Sequence, residues 1–170
     1  MKKAELISSR IFQLEDLKRQ VAGWRLTGKT ICFTNGVFDL LHDGHIFSLS
    51  QAAAEADKLI VAVNSDASVK RLKGPERPLN NEQARALVLA SLMIVDAVVI
   101  FEEDTPLHVI TELLPDVLVK GGDYTPEQIA GAKEVVANGG RVVINPLIQG
   151  ISTTNIIARI KSFAGGNAAT

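Results

Sequence analysis

Short, continuous runs of apolar residues alternate along this chain with stretches in which apolar side chains recur every three or four positions. The runs at 30–34, 59–63, 97–101, 116–119 and 141–144 are dominated by Val, Ile and Leu and have the length of strands. Runs without polar alternation suit strands buried on both faces. Between them, Leu14, Leu17, Val21 and Trp24 recur at helical spacing, as do Ile46, Leu49 and Ala53 within 44–55 and Leu87, Leu89 and Leu92 within 80–93. Helices are also expected at 105–114, with Pro106 in the first turn, at 126–138, ended by Gly139 and Gly140, and at 153–163. Asn64, Ser65 and Asp66 offer a cap after the second run, and Asn80 opens the long helix. Strands that alternate with helices predict an α/β domain built on a doubly wound, five-stranded parallel sheet of Rossmann-like type. Ligands of such sheets bind beyond the carboxyl ends of the strands. The segments 35–45, 64–80, 120–124 and 146–154 all fall there.

Composition narrows the function without choosing it. The 170 residues suit a single domain, expected over 1–163, with a low-complexity tail at 164–170 expected to be disordered. A formal charge of −1 gives no basic patch of the kind that binds nucleic acid. No apolar run reaches membrane-spanning length, and 1–10 lack the apolar core of a signal peptide, so a cytoplasmic location is expected. The single cysteine, Cys32, excludes an internal disulfide and reads as a small buried apolar residue.

The chemistry concentrates in Thr34-Asn35-Gly36-Val37-Phe38-Asp39-Leu40-Leu41-His42-Asp43-Gly44-His45, where the first strand meets a helix. Free N–H groups and the positive end of the helix dipole favour phosphate at such a junction. Imidazoles there can donate to an anion whose charge grows during reaction. An isolated His at a helix start is usually a cap or a packed side chain. Here His-x-Gly-His follows a strand, opens a helix and carries Gly36 where the backbone passes close to something, which favours substitution at a nucleotide phosphate.

Three further segments join it. Residues 70–78, expected as a mobile charged loop, carry Arg71, Lys73 and Arg77, which suit polyphosphate or form a solvated loop, and Arg85 on the next helix either points back to the same place or is a surface charge. Lys120-Gly121-Gly122-Asp123-Tyr124 reads either as a ligand approach or as a plain turn with a cap. Gly150-Ile151-Ser152-Thr153-Thr154 reads as a second anion cradle or as an ordinary N-cap. The chain has no G-x-G-x-x-G pattern, no Walker A sequence and no zinc ribbon. His108 lies inside a helix and reads as structural.

Gly36-Val37-Phe38-Asp39, His42-Asp43-Gly44-His45 and Ile151-Ser152-Thr153-Thr154 resemble the motifs of the cytidylyltransferase-like nucleotidyltransferase superfamily. Longer runs, among them 60–68, 71–74, 101–106, 120–124 and 152–157, resemble the D-glycero-β-D-manno-heptose 1-phosphate adenylyltransferases, over about 11–162. The resemblance implies that ATP and the heptose 1-phosphate give ADP-heptose and pyrophosphate, with magnesium, for the lipopolysaccharide inner core. It implies catalytic roles for His42, His45 and Lys73. It implies nucleotide contacts from Thr34, Asn35, Gly36, Val37, Phe38, Gly44, Lys120, Gly122, Asp123, Ile151, Ser152 and Thr153, and substrate contacts from Asp39, Asn64, Arg71, Arg77 and Arg85. No residue is assigned to the metal. Gln149 stands where these enzymes usually carry an acidic residue. Many such enzymes follow a sugar kinase domain in one chain; here the expectation is a separate kinase upstream and a homo-oligomer. A cytidylyltransferase for glycerol 3-phosphate and a nucleotide-binding module without turnover remain as rival readings.

Overall fold

The computed structural model describes residues 5–122, 124–146 and 152–166. In chain order the elements are α1 (Glu5–Ser8), β1 (Ile11–Phe12), α2 (Leu14–Leu26), β2 (Ile31–Gly36), α3 (Asp43–Ala53), β3 (Lys58–Asn64), α4 (Asp66–Lys73), α5 (Glu82–Ser91) and β4 (Ala97–Phe101). They continue with α6 (Leu107–Leu113), β5 (Val117–Gly121), a 3-10 turn (Pro126–Gln128), α7 (Ala132–Ala137), β6 (Arg141–Asn145) and α8 (Thr153–Gly166).

All strands are parallel, in the order β1-β4-β3-β2-β5-β6. Successive residues point to opposite faces, so each strand feeds two cores. Ile31 and Phe33 face Leu17, Val21, Ile110 and Val135 from α2, α6 and α7. Cys32 faces the other way, with Leu49, Ala52, Ala86 and Leu89 from α3 and α5. Burial pushes the Cys32 thiol up to about 12, which makes it an inert packing group. The chain builds outward from β2 through β3 to β4, then returns to lay β5 against the other side of β2. The loops after β2 and β5 therefore diverge and open a crevice between them, the switch point where doubly wound sheets hold ligands.

The structure departs from the sequence expectations in several places. The sheet has six strands rather than five, because Ile11 and Phe12 add a two-residue edge strand too short to show a period. The expected loop at 70–78 is helical as far as Lys73. Ser65 caps α4 by accepting from the Ser68 N–H, Val69 is buried, and Lys70, Arg71 and Lys73 favour the negative end of the helix dipole. Asn81, not Asn80, caps α5. The helix expected at 126–138 is broken into the 3-10 turn and α7 by Gly131, which is left-handed (φ 85°) and so close to Ile110 that a Cβ would fall 2.5 Å from its side chain. The last helix runs on to Gly166, past its expected end at Phe163. Residues 167–170 lie outside the described residues.

Candidate active site

The crevice between the β2 and β5 ends is a cavity of about 350 Å³. Its floor is the end of β2: Thr34, Asn35 and Gly36 line it, with Val37 and Phe38 beyond. Gly36 is required by close approach, since a Cβ there would lie 2.9 Å from the Phe38 ring. Phe38 is left-handed (φ 49°), a conformation that non-glycine residues adopt at a cost.

His42, Gly44 and His45 form one wall where α3 begins. The two imidazoles stack, with centroids 3.7 Å apart and planes inclined by 22°. The Phe38 ring meets His45 edge-on at 5.3 Å. Both Nδ1 atoms are buried and have no hydrogen-bond partner. Burial, and then the charge of His42, push the His45 imidazole down to about 4 against the opposing pull of the Leu40 carbonyl. His45 is thus neutral near pH 7 and able to donate one N–H without carrying charge. Unpaired buried nitrogens of this kind cost free energy.

Lys120, at the end of β5, closes the opposite wall. Its Nζ donates to Asn35 Oδ1 at 3.1 Å and lies 5.7 Å from the Tyr124 ring. Burial pushes its pKa down, because a desolvated ammonium lacks the water that stabilises it. No carboxylate pairs with it among the described residues. At the start of α8, Ser152 Oγ accepts from the Asn155 N–H, and Thr153 Oγ1 donates to the Leu40 carbonyl at 3.3 Å. The second bond ties α8 to the histidine loop, the first caps the helix, and both residues line the cavity.

A second hollow of about 300 Å³ shares Asn35, Gly36, Val37, Lys120 and Tyr124 with the first. Asn64, Lys73, Asp104, Thr105 and Gln128 line its far side. Lys73, expected on a loop, reaches it from the last turn of α4 and has no carboxylate partner among the described residues.

The remaining expected site residues have other places. Arg71 Nε donates to Asp104 at 2.7 Å and its Nη2 to the Glu102 carbonyl. Asp39 is buried, where it accepts from Arg77 Nε (2.6 Å), the Leu79 N–H (2.8 Å) and the Asn80 N–H (2.9 Å). Burial pushes its carboxyl up, but these donors outweigh it and hold the pKa below its ordinary value. Arg85 is buried; it donates to the Val37 carbonyl (2.7 Å), the Asn80 carbonyl (3.0 Å) and Asp66 (2.7 Å). Neither Asp39 nor any of these three arginines lines the first cavity; they brace the loops around it. Gly122 is buried and donates its N–H to the Asn145 carbonyl. Asp123, Gln149 and Ile151 lie outside the described residues. Sequence reasoning missed Ser48, which lines the cavity three residues beyond His45 on the same helix face, a spacing that could have flagged it.

The profile of the cytidylyltransferase-like family matches residues 33–159, which take in every wall just described. The chain belongs to this family. It is 63% identical over 140 residues to the bifunctional protein HldE of Hyphomonas neptunium, covering 82% of this chain and 29% of that protein. It is 57% identical over 153 residues to the HldE of Caulobacter vibrioides, covering 90% and 32%. The chain thus spans about a third of the length of these relatives. The lipopolysaccharide core biosynthesis protein from Thermoplasma volcanium has the same fold, with a TM-score of 0.57 and 28% identity over 71% of this chain and 98% of that one.

Among the described residues, no cluster of three or more His, Cys, Asp or Glu side chains forms a cation cage. Of the two carboxylates in the 34–45 motif, Asp39 is filled by N–H donors and Asp43 opens α3. No helix among the described residues is long and apolar enough to cross a membrane.

Proposed function

We propose that this chain transfers the adenylyl group of ATP to a sugar 1-phosphate, D-glycero-β-D-manno-heptose 1-phosphate, releasing pyrophosphate and forming ADP-heptose for the lipopolysaccharide core. The observation that carries the transfer is the first cavity itself. The stacked imidazoles of His42 and His45 and the desolvated ammonium of Lys120 line it together, within the segment that matches the cytidylyltransferase-like family. The choice of sugar and base is supported by the sequence resemblance and by the identity to the HldE proteins.

The sugar phosphate oxygen, already anionic, attacks the α-phosphorus in line. The bond from that phosphorus to the α,β-bridging oxygen breaks, and its electron pair leaves with pyrophosphate. No proton needs to move. His42 and His45 donate to the α- and β-phosphate oxygens as their charge builds, and Lys120 stands against the same oxygens. The start of α8 receives the rest of the triphosphate. The second hollow takes the sugar phosphate, with Lys73 on its phosphate and Asn64 among the groups left for sugar hydroxyls. Magnesium bound with the triphosphate would supply positive charge against the leaving pyrophosphate, and no side chain of this chain is assigned to hold it. An upstream sugar kinase, a cytoplasmic location and self-association belong to the same reading and rest on the resemblance alone.

Pyrophosphate release measured with each nucleoside triphosphate, against heptose 1-phosphate and glycerol 3-phosphate, tests the proposal. The expected result is turnover with ATP and the heptose ester. Preference for CTP with glycerol 3-phosphate would replace it by the rival cytidylyltransferase, and absence of turnover with every pair would leave a binding module.

A further inference from the structure

Phe38 combines a disfavoured backbone with a specific contact. Its φ of 49° is one of two left-handed conformations at non-glycine residues among those described. Such strain persists only where the surroundings over-determine it. Both neighbours of Phe38 are clamped. On one side, the Val37 carbonyl accepts from the buried Arg85 guanidinium at 2.7 Å. On the other, the Asp39 carbonyl accepts from Asn80 Nδ2 at 2.7 Å, and the Asp39 carboxylate accepts the Arg77, Leu79 and Asn80 donors. Arg85 and Asn80 are also bonded to each other, Nε to carbonyl at 3.0 Å. The clamp comes from the approach to α5 and its first turns, yet its effect falls in the cavity. The turn lays the Phe38 ring over Gly36, the position where no Cβ fits, and sets its edge 5.3 Å from the His45 ring. His42 stacks on the same imidazole. His45 is thereby held between two rings, with its Nδ1 buried and unpaired.

We infer that Phe38 is a positioning residue: its strained turn, clamped by Arg85, Asn80 and Asp39, seats its ring against His45 and fixes the imidazole in the orientation that meets the phosphate. Arg85 and Asp39 act through it, without touching ligand. The inference rests on the proposed nucleotidyl transfer for its kinetic consequence, but the positioning itself is visible in the free protein. The ionisable groups around His45 are His42, stacked on it, Lys120 across the cavity, and Asp43 at the start of its own helix.

Phe38→Gly separates ring from turn. Glycine adopts the left-handed turn without strain, so the backbone is kept and only the ring is lost. The imidazoles are followed by proton NMR titration, which three histidines make tractable. His45 is expected to titrate about one pH unit or more above its parental value, since the ring that shields it from water is gone. Turnover is expected to fall about tenfold to hundredfold, with KM for the nucleotide within about threefold, as for a misplaced group that acts in the transition state. Arg85→Lys, which cannot span the same three acceptors, is expected to move both readings in the same direction by less. Parental titration of His45 in folded Phe38→Gly overturns the inference, whatever the turnover. If Phe38→Gly does not fold, Phe38→Leu carries the same two readings, and parental values there overturn it equally. If the parent turns over no substrate, the proposed function fails, while the titration still decides the positioning. Parental values of both readings in Arg85→Lys would overturn the clamp.

Discussion

The two ends of the sheet solve opposite problems. At the amino ends of the strands, an aspartate stands immediately before each of β3, β4 and β5, and each caps a neighbouring strand. Asp57 accepts from the Thr30 N–H and hydroxyl, Asp96 from the Leu59 N–H and Lys58, and Asp116 from the Ile31 N–H at 2.7 Å. Charge there is used up inside the fold. At the carboxyl ends, His42 Nδ1, His45 Nδ1 and Asn145 Nδ2 are buried without partners, and Lys120 is desolvated. One end spends its polar groups on strand register, and the other leaves several of them unpaired beside a cavity. The same sheet can hold both because strand capping and the cavity lie at opposite edges.

The sharpest way to break this contrast is to remove the unpaired groups. His42→Ala and His45→Ala are each expected to lower turnover about a hundredfold to a thousandfold, the usual loss for one transition-state donor. Thermal stability should hold or rise, because each substitution also deletes an unsatisfied buried nitrogen. Turnover within about threefold of the parent would show that the residue holds no reacting phosphate.

Lys120→Met comes next. It removes a buried cation and keeps the apolar stem, so the fold should survive with unchanged or higher stability. Triphosphate affinity, measured by calorimetry, is expected to fall about tenfold to hundredfold, as for loss of a hydrogen bond to a charged group. Unchanged affinity would confine Lys120 to its contact with Asn35.

The amino end should respond the other way. Asp96→Ala strands the Leu59 N–H and frees Lys58, and is expected to lower unfolding stability by about 1–3 kcal/mol. Turnover per folded molecule should stay within about twofold. A large kinetic loss without a stability loss would mean that the two ends are not independent.

Much of this contrast was legible in the sequence. Continuous Val and Ile runs gave the parallel sheet, and His42-Asp43-Gly44-His45 at a strand-to-helix junction gave the cavity wall. Strand order was not legible, since periodicity says which residues are buried but not which strand is adjacent. The bracing role of Arg77 and Arg85 was hidden for a related reason. A guanidinium bound to carbonyls and carboxylates of its own chain has the same sequence signature as one held out to phosphate. The helical state of Lys70–Lys73 was missed because Gly74 and two prolines suggested a loop, whereas a capped helix ending in three cations is locally favourable.

The smallest effect is in pH dependence, where the two ends have opposite chemistry. Hydrogen bonds donated by Thr30, first by its backbone N–H and then by its hydroxyl, hold the Asp57 carboxyl down to about 2. Its contribution to stability is complete above the unfolded carboxyl pKa near 4 and is lost as pH falls from there to about 2. His45 is a base held down to about 4, below its unfolded value of about 6.5. The unfolded chain therefore binds that proton more tightly, and stability falls as pH drops from about 6.5 to 4, with no further loss below. The open cavity screens the charge, so this loss is expected near 1 kcal/mol. Acid unfolding should accordingly show two decrements, the site first and the amino end second. Tripolyphosphate should abolish only the first, because an anion against His45 favours the charged imidazole and raises its pKa. His45→Ala should remove the same decrement without ligand, and Asp57→Asn should reduce only the second, to which Asp39 also contributes. A first decrement that persists in His45→Ala would assign it to another group and leave the unpaired nitrogens without a part in the acid response.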